Sequence, residues 1–189
     1  MYNTALKDYV KIYKGFYDQN FCKQIVNELK EVTWNKHAYY INALNKVVQN
    51  ENELDISLQS TESKSELDKK IWSAINQYIC VDMSYMNKWF NAWSGYSLAR
   101  FNKYSVGTEM KVHCDHIQSL FDGNKKGIPF LTVLGLLNNN YEGGKFFLCG
   151  EEVDMSTGDV IVFPSNFLYP HEVKKVTSGE RYSFVSWVW

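Results

Sequence analysis

The chain has 189 residues, a formal net charge of −1 and 22% charged residues. This length suits one domain with a sizeable core and is short for two. The near-neutral charge gives no basic field for nucleic acid or an anionic membrane. No apolar run approaches the ~18 residues that a membrane-spanning helix needs. We therefore expect a single domain over residues 1–189 that acts without nucleic acid or a membrane.

The N-terminus and the cysteines point to a cytoplasmic protein. Charges at Lys7, Asp8 and Lys11 interrupt any apolar core that a signal peptide would need. The cysteines at 22, 80, 114 and 149 have no CxxC spacing, which argues against a zinc ribbon or a thioredoxin-like motif. We predict four reduced thiols, each packed as a small hydrophobic side chain.

Residues 1–95 are predicted to form a supporting layer of one strand and several helices. The strand covers 9–16, and a short third helix covers 83–91. The first helix is capped by Asp18 and has one apolar face, made of Phe21, Cys22, Ile25, Val26 and Leu29. The second helix has a capping signal at Ser65 and Asp68 and an apolar stripe, made of Leu67, Ile71, Trp72, Ile75 and Tyr78.

The segment 45–64 between these two helices is polar, acidic and rich in serine. Two interpretations stay open from the sequence. It is a solvated linker, as most such segments are, or a mobile flap over a pocket, as long loops in compact domains often are.

From about residue 96 the apolar period changes to two, which predicts a β-rich half. Turn signals rich in Gly, Asn and Ser separate the candidate strands, which cover 96–104, 109–116, 128–138, 144–150, 159–165, 169–176 and 181–189. Many short strands at even spacing are typical of a sandwich, a jelly roll or a small barrel. We predict an α+β, mainly β fold with the N-terminal helices packed on one face of the sheet.

Two of the four histidines lie in the stretch KVHCDH, residues 111–116. On a strand, His113 and Asp115 point to one face, whereas His116 points to the other and is expected at the surface. If His171 converges with His113 and Asp115, the set holds a metal with one face open, as in non-haem Fe(II) oxygenases. His37 is expected to be structural or exposed.

The last strand adds a receptor for a carboxylate. Arg181 and Ser183 share one face of it, and a guanidinium with a hydroxyl two residues on pairs well with a carboxylate. A metal beside such a receptor indicates a small dianionic ligand that bridges the two.

Four stretches, at 101–115, 132–148, 158–165 and 171–187, resemble in order the motifs of Fe(II)- and 2-oxoglutarate-dependent dioxygenases, in particular the prolyl 4-hydroxylase-like group. The resemblance implies a double-stranded β-helix, or jelly roll, as the catalytic β core over 96–189. It makes His113, Asp115 and His171 the iron ligands and Arg181 the residue that grips 2-oxoglutarate. The implied helpers are Tyr104 and Ser183 at the co-substrate and Trp187 and Met110 at the substrate pocket.

The same resemblance implies Fe(II), 2-oxoglutarate and O2, with ascorbate as a further candidate, and hydroxylation of an unactivated C–H with release of succinate and CO2. Members that hydroxylate prolyl peptides carry Tyr and Arg where this chain has Met110 and Pro129. A peptidyl residue such as proline is the first expected substrate. A free amino acid or other small metabolite is the alternative, and a low-turnover binding or sensor module of the same fold is a third.

Overall fold

The computed structural model describes residues 5–41, 45–88, 90, 93–116 and 128–189. These residues form a mainly β protein with two α-helices, α1 (Gln19–Glu28) and α2 (Lys64–Asn76). The strands are β1 (Lys11–Tyr13), β2 (Asn35–Lys36), β3 (Ala38–Ile41), β4 (Lys46–Gln49), β5 (Asp55–Ser57), β6 (Arg100–Tyr104), β7 (Met110–His113), β8 (Leu131–Leu136), β9 (Tyr141–Gly143), β10 (Phe146–Leu148), β11 (Glu151–Glu152), β12 (Val160–Pro164), β13 (His171–Val173), β14 (Val176–Gly179) and β15 (Arg181–Val188).

Two antiparallel sheets organise the molecule. The larger has seven strands in the order β1-β12-β8-β15-β6-β5-β2, and the smaller has four in the order β11-β10-β13-β7. Apolar side chains from both sheets meet in one buried cluster, in which Leu134, Ile161 and Phe163 of the larger sheet pack with Phe146 and Val173 of the smaller. The two sheets therefore enclose a core between them, and this is where the polar site lies.

The first helix forms as the sequence predicts. The Asp18 carboxylate accepts hydrogen bonds from the backbone N–H groups of Asn20 and Phe21, at 3.0 and 2.9 Å. These bonds satisfy donors that every helix leaves free in its first turn. The apolar residues of α1 and α2 pack against the face of the larger sheet that points away from the smaller one. Both helices therefore lie on one face, as predicted.

The predicted cap of the second helix is wrong. The helix begins at Lys64, one residue before Ser65, and Ser63 at the cap position makes no side-chain capping bond. Asp68 instead accepts a hydrogen bond of 2.9 Å from the backbone N–H of Ala99, which ties the helix to the sheet. Within the predicted apolar stripe, Trp72 is 40% exposed and packs on neighbouring aromatic rings rather than in the core.

Part of the segment 45–64 differs from both interpretations of the sequence. It contains β4 and β5, and β5 pairs with β6 inside the larger sheet. Leu54 is completely buried, and Asp55 forms ion pairs with Lys36 at 3.1 Å and Lys103 at 3.8 Å. Asp55–Ser57 is therefore a structural strand of the larger sheet rather than a solvated linker or a flap, whereas β4 pairs with β3 in a separate two-stranded sheet.

Several smaller expectations also need correction. The first strand covers only Lys11–Tyr13, and within 83–91 the structure describes a short 3-10 helix at Ser84–Lys88. All four thiols are free, but only Cys22 is buried as predicted, since Cys80 and Cys149 are exposed and Cys114 is partly exposed. Among the described residues, no helix has the length and apolar character to cross a membrane.

Gly135 gives a stability prediction. It lies in β8 directly opposite Phe184 of β15, and an added Cβ would overlap the Phe184 ring. That ring is fully buried and packs edge-on against Tyr17, so it has no free space to move into. We expect Gly135→Ala to lower the free energy of unfolding by about 1–3 kcal/mol, measured by urea denaturation. In a Phe184→Leu background, the same Gly135→Ala substitution should lower the free energy of unfolding by less than it does in the wild type. A Gly135→Ala variant as stable as the wild type would contradict the packing described.

Candidate active site

Three ligand-type side chains converge between the two sheets. His113 of β7 and His171 of β13 are directly paired, with ring centroids 4.3 Å apart. Asp115 approaches both, with Oδ1 3.5 Å from His113 Nε2 and Oδ2 3.6 Å from His171 Nε2. The three candidate ligand atoms lie within 4.8 Å of one another. The strand prediction over 109–116 was too long: β7 ends at His113, and a bend, not strand alternation, brings Asp115 to the site.

Backbone carbonyls hold both histidines in one orientation. His113 Nδ1 lies 2.7 Å from the carbonyl oxygen of Lys111, and His171 Nδ1 lies 3.2 Å from that of Tyr169. An Nδ1–H group that donates to a carbonyl leaves the Nε2 lone pair as the free ligand atom. Both Nε2 atoms are the ones directed toward Asp115. The histidines are therefore prepared for a metal before one binds.

A hydroxyl pair supports the carboxylate. Thr132 Oγ1 donates to Asp115 Oδ2 at 2.8 Å and lies 2.8 Å from Ser165 Oγ. Burial by itself raises the pKa of Asp115, but the adjacent His113 and His171 hold that pKa well below the usual range. Burial also lowers the pKa of His171 and so favours the neutral, ligating imidazole. The site thus supplies an ionised carboxylate beside its imidazoles.

This donor set fits a divalent metal with open positions. Two imidazoles and one carboxylate bind a non-haem Fe(II) on one face and leave the other face for ligands. Within the described ranges no further His, Cys, Asp or Glu joins the group, whereas structural metal sites usually have four protein ligands.

A buried arginine without a carboxylate partner lies on the larger sheet. Arg181 opens β15 opposite Tyr104 of β6, and its side chain is 1% exposed. Its Nη1 donates to Ser183 Oγ at 3.0 Å, its guanidinium lies 5.1 Å from the Tyr104 ring centroid, and its buried Nε has no hydrogen-bond partner. Among the described residues, no acidic group forms an ion pair with it. Since a buried unpaired cation is unfavourable, Arg181 is suited to an anionic ligand such as the distal carboxylate of 2-oxoglutarate.

A cavity next to the metal set is lined by three of the predicted pocket residues, whereas Arg181 and Ser183 are not among its lining residues. Tyr104, Met110 and Trp187 line it together with the three candidate ligands. The buried Trp187 Nε1 makes no hydrogen bond of normal geometry, although its proximity contributes to the low pKa of Asp115.

Outside the cavity, His116 is exposed as predicted. His37 is buried and bonds Glu53 at 2.9 Å, which agrees with a structural role.

Sequence reasoning missed several cavity residues. Arg100 and Asn102 precede Tyr104 by four and two residues on the same strand face, so alternation from Tyr104 was a signal that could have found them. Leu54 was hidden in a segment that looked polar. The bond from Thr132 to Asp115 joins the two sheets and had no signal in the local sequence.

Thr132 provides a test of this support. We expect Thr132→Val, which keeps the shape but removes the hydroxyl, to weaken Fe(II) binding by about 10–100-fold, because such supporting groups orient metal ligands. The measurement is an anaerobic metal titration. Thr132→Ser keeps the oxygen and should bind within a few-fold of the wild type. Equal affinities for the serine and valine variants would contradict this role.

Comparisons with known proteins agree with this geometry. Residues 99–189 match the family model of the 2OG-Fe(II) oxygenase superfamily. A PKHD-type hydroxylase of Psychrobacter sp. is 34% identical over 95 residues, which are 47% of this chain and 36% of that protein. A PKHD-type hydroxylase of Stenotrophomonas maltophilia is 37% identical over 95 residues, covering 47% of this chain and 41% of that protein. The match therefore spans less than half the length of these relatives.

Solved structures share the fold at low sequence identity. A Trichoplax adhaerens prolyl hydroxylase, solved with a peptide fragment of hypoxia inducible factor, superposes with a TM-score of 0.69 at 19% identity over 96% of this chain and 84% of that one. A Pseudomonas putida prolyl-4-hydroxylase gives a TM-score of 0.65 at 17% identity over 95% and 91%. The region 99–189, which carries both the His113–Asp115–His171 set and Arg181, belongs to the 2OG-Fe(II) oxygenase superfamily and has a prolyl 4-hydroxylase-like fold.

Proposed function

We propose that this protein is an Fe(II)- and 2-oxoglutarate-dependent dioxygenase that hydroxylates an unactivated C–H, with a peptidyl residue such as proline as the first candidate, and releases succinate and CO2. The observation that carries the proposal is the pairing of an open two-histidine, one-carboxylate set with a buried arginine that has no ion-pair partner among the described residues. The prolyl hydroxylase folds of the structural neighbours support a peptide substrate.

Each residue then has a defined task. His113, Asp115 and His171 hold Fe(II), with the imidazoles fixed by backbone carbonyls and the carboxylate by Thr132. When bound, Fe(II) with 2-oxoglutarate and O2 supplies the oxidising chemistry. Arg181 binds the distal carboxylate of 2-oxoglutarate. Ser183 orients the guanidinium through a hydrogen bond, and the Tyr104 ring covers it. Met110 and Trp187 face the substrate.

We also infer that residues 1–189 form one domain and that 96–189 is its catalytic β core, arranged as a double-stranded β-helix. Two facing antiparallel sheets with the metal set between them support this arrangement. The N-terminal half supplies β1, β2 and β5 to the larger sheet as well as both helices. A cytoplasmic location and the use of ascorbate stay predictions.

A free amino acid or other small metabolite is the second candidate substrate. The observation in its favour is the cationic Arg100 in the cavity wall, which an uncharged prolyl segment would leave unpaired. A low-turnover sensor with the same ligands is distinguished by the assay below, since it binds the co-substrate without forming product.

The test is succinate formation by the full chain. Protein prepared without oxygen is mixed with Fe(II) and 2-oxoglutarate, oxygen is admitted, and succinate is measured with and without proline-containing peptides. We expect succinate from the wild type and from His116→Ala, whose side chain is exposed outside the metal set. His171→Ala and Arg181→Ala should form none. A wild-type protein that binds no 2-oxoglutarate would refute the proposed function, and one that binds it without turnover with any substrate tried would favour the sensor.

A further inference from the structure

An arginine other than Arg181 lines the cavity that contains the metal set. Arg100 shares one face of β6 with Asn102 and Tyr104, and all three line the cavity beside Asp115. Its guanidinium carbon is 4.8 Å from the ring centroid of Trp187, and its Nε donates to Asn102 Oδ1 at 3.1 Å. Within the described part of the chain it forms no ion pair and no other hydrogen bond. Its two terminal amino groups are therefore available to a ligand.

The co-substrate does not account for this charge. Arg181 lies opposite Tyr104, whereas Arg100 lies opposite Val185, four residues further along β15. At ~3.3 Å per residue, the Cα positions of the two arginines are roughly 13 Å apart along the sheet. The two carboxylates of 2-oxoglutarate are already assigned, one to the metal and one to Arg181. Arg100 is thus left without an anion from the co-substrate.

The charges around Arg100 also favour an anionic ligand. Asp115 is the acidic group whose charge acts on Arg100. A divalent ion on Asp115 would offset that negative charge and add positive charge nearby, so the loaded site favours a further anion. The Trp187 ring lies against the guanidinium, and the two terminal amino groups of Arg100 make no hydrogen bond within the described residues. Such amino groups form paired hydrogen bonds with a planar carboxylate.

We propose that Arg100 binds a carboxylate of the primary substrate and so determines its class. The proposal rests on the proposed function and makes it more specific. The substrate is a carboxylate-bearing molecule: a free amino acid, or a peptide whose hydroxylated residue is C-terminal or adjacent to an acidic side chain. An internal prolyl residue with neutral neighbours offers Arg100 only amide carbonyls.

The first test separates Arg100 from the co-substrate site. Binding of 2-oxoglutarate to the full chain loaded with Mn(II) is measured without oxygen by calorimetry. We expect Arg100→Gln to bind within about threefold of the wild type, whereas Arg181→Gln loses binding. A Kd raised more than tenfold in Arg100→Gln would overturn the inference, because Arg100 would then serve the co-substrate. A wild type that binds no 2-oxoglutarate would overturn the proposed function instead.

The second test compares matched acid and amide probes. The pairs are proline and proline amide, a peptide ending in proline with a free or an amidated C-terminus, and internal prolyl peptides with glutamate or glutamine next to the proline. Probe-stimulated succinate is measured, with mass spectrometry of the probe. We expect the acid of a responding pair to exceed its amide by about 10–100-fold, the range of hydrogen bonds to charged groups, and Arg100→Gln to remove the difference.

The pair that responds identifies the source of the carboxylate. Stimulation by proline alone indicates a free amino acid, and stimulation by one of the peptide acids indicates a peptide. The proposal is wrong if amides act as well as acids, if Arg100→Gln keeps the preference, or if the 2-oxoglutarate-binding wild type responds to no acid probe. Arg100→Lys keeps the charge without the planar fork and should retain part of the preference.

Discussion

Replacement of Arg181 by glutamine is expected to raise the Kd for 2-oxoglutarate by more than about 100-fold. The guanidinium is buried, and its Nε lacks a partner, so the incoming carboxylate would form charge-assisted hydrogen bonds away from water. Each such bond contributes about 1.5–3 kcal/mol, and two of them correspond to roughly two to four powers of ten in Kd. The measurement is anaerobic calorimetry with Mn(II) in the metal site.

Two further variants sharpen this result. Arg181→Lys keeps the charge but not the planar fork held by Ser183 and Tyr104, and should bind with an intermediate Kd. Arg181→Met removes a buried cation that has no ion-pair partner among the described residues, so the free energy of unfolding without ligand should not fall. Wild-type affinity in Arg181→Gln, or strong destabilisation of Arg181→Met, would contradict the role assigned here.

His171→Ala is expected to lose Fe(II) binding, with an affinity more than about 100-fold below that of the wild type. Loss of supporting groups around a metal costs 10–100-fold, and His171 is itself one of three candidate ligands. Metal at a hundred times its Kd stabilises the folded protein by about 2.7 kcal/mol, so the wild type should show a higher Tm with metal. The variant should show no such shift.

The matched control is His116→Ala. His116 lies next to Asp115 in sequence, but it is exposed and does not belong to the group of candidate ligands. It should keep the affinity for Fe(II) and the metal-dependent rise in Tm. If His116→Ala and His171→Ala lose metal equally, the ligand set described here is wrong.

The features that the sequence predicted well are those set by local chemistry. Asp18 caps α1 because a short carboxylate side chain reaches two free N–H groups within the next three residues. The strands Leu131–Leu136 and Arg181–Val188 are buried along their whole length, and the β-branched, aromatic and leucine residues in both segments predict strands there. His113, Asp115 and His171 were candidates because few residue types bind metals, and the structure brings them together, whereas the role of Arg181 stays a prediction.

The predictions that were wrong concern residues whose partners lie far away in the sequence. Asp68 resembles part of a helix cap, but Ala99, 31 residues away, supplies its donor. The polar segment 45–64 contains the short strand β5 with the ion-paired Asp55, and only the pairing of β5 with β6 in the sheet shows its role. Asp115 reaches the site through a bend that no strand pattern predicts. Arg100 shares a strand face with Tyr104, but its contact with the Trp187 ring, on another strand, cannot be predicted from the local sequence.

The division of the site between the two sheets has a mechanical consequence. His113 and His171 are carried by the smaller sheet, and Arg181 is carried by the larger. In the proposed complex, the metal set would hold one end of 2-oxoglutarate and Arg181 would hold the other. The bound co-substrate would therefore link the two sheets. Part of its binding energy would then resist separation of the sheets. Amide hydrogen exchange in β7 and β13 should slow together with that in β15 when the co-substrate binds, even though β15 belongs to the other sheet.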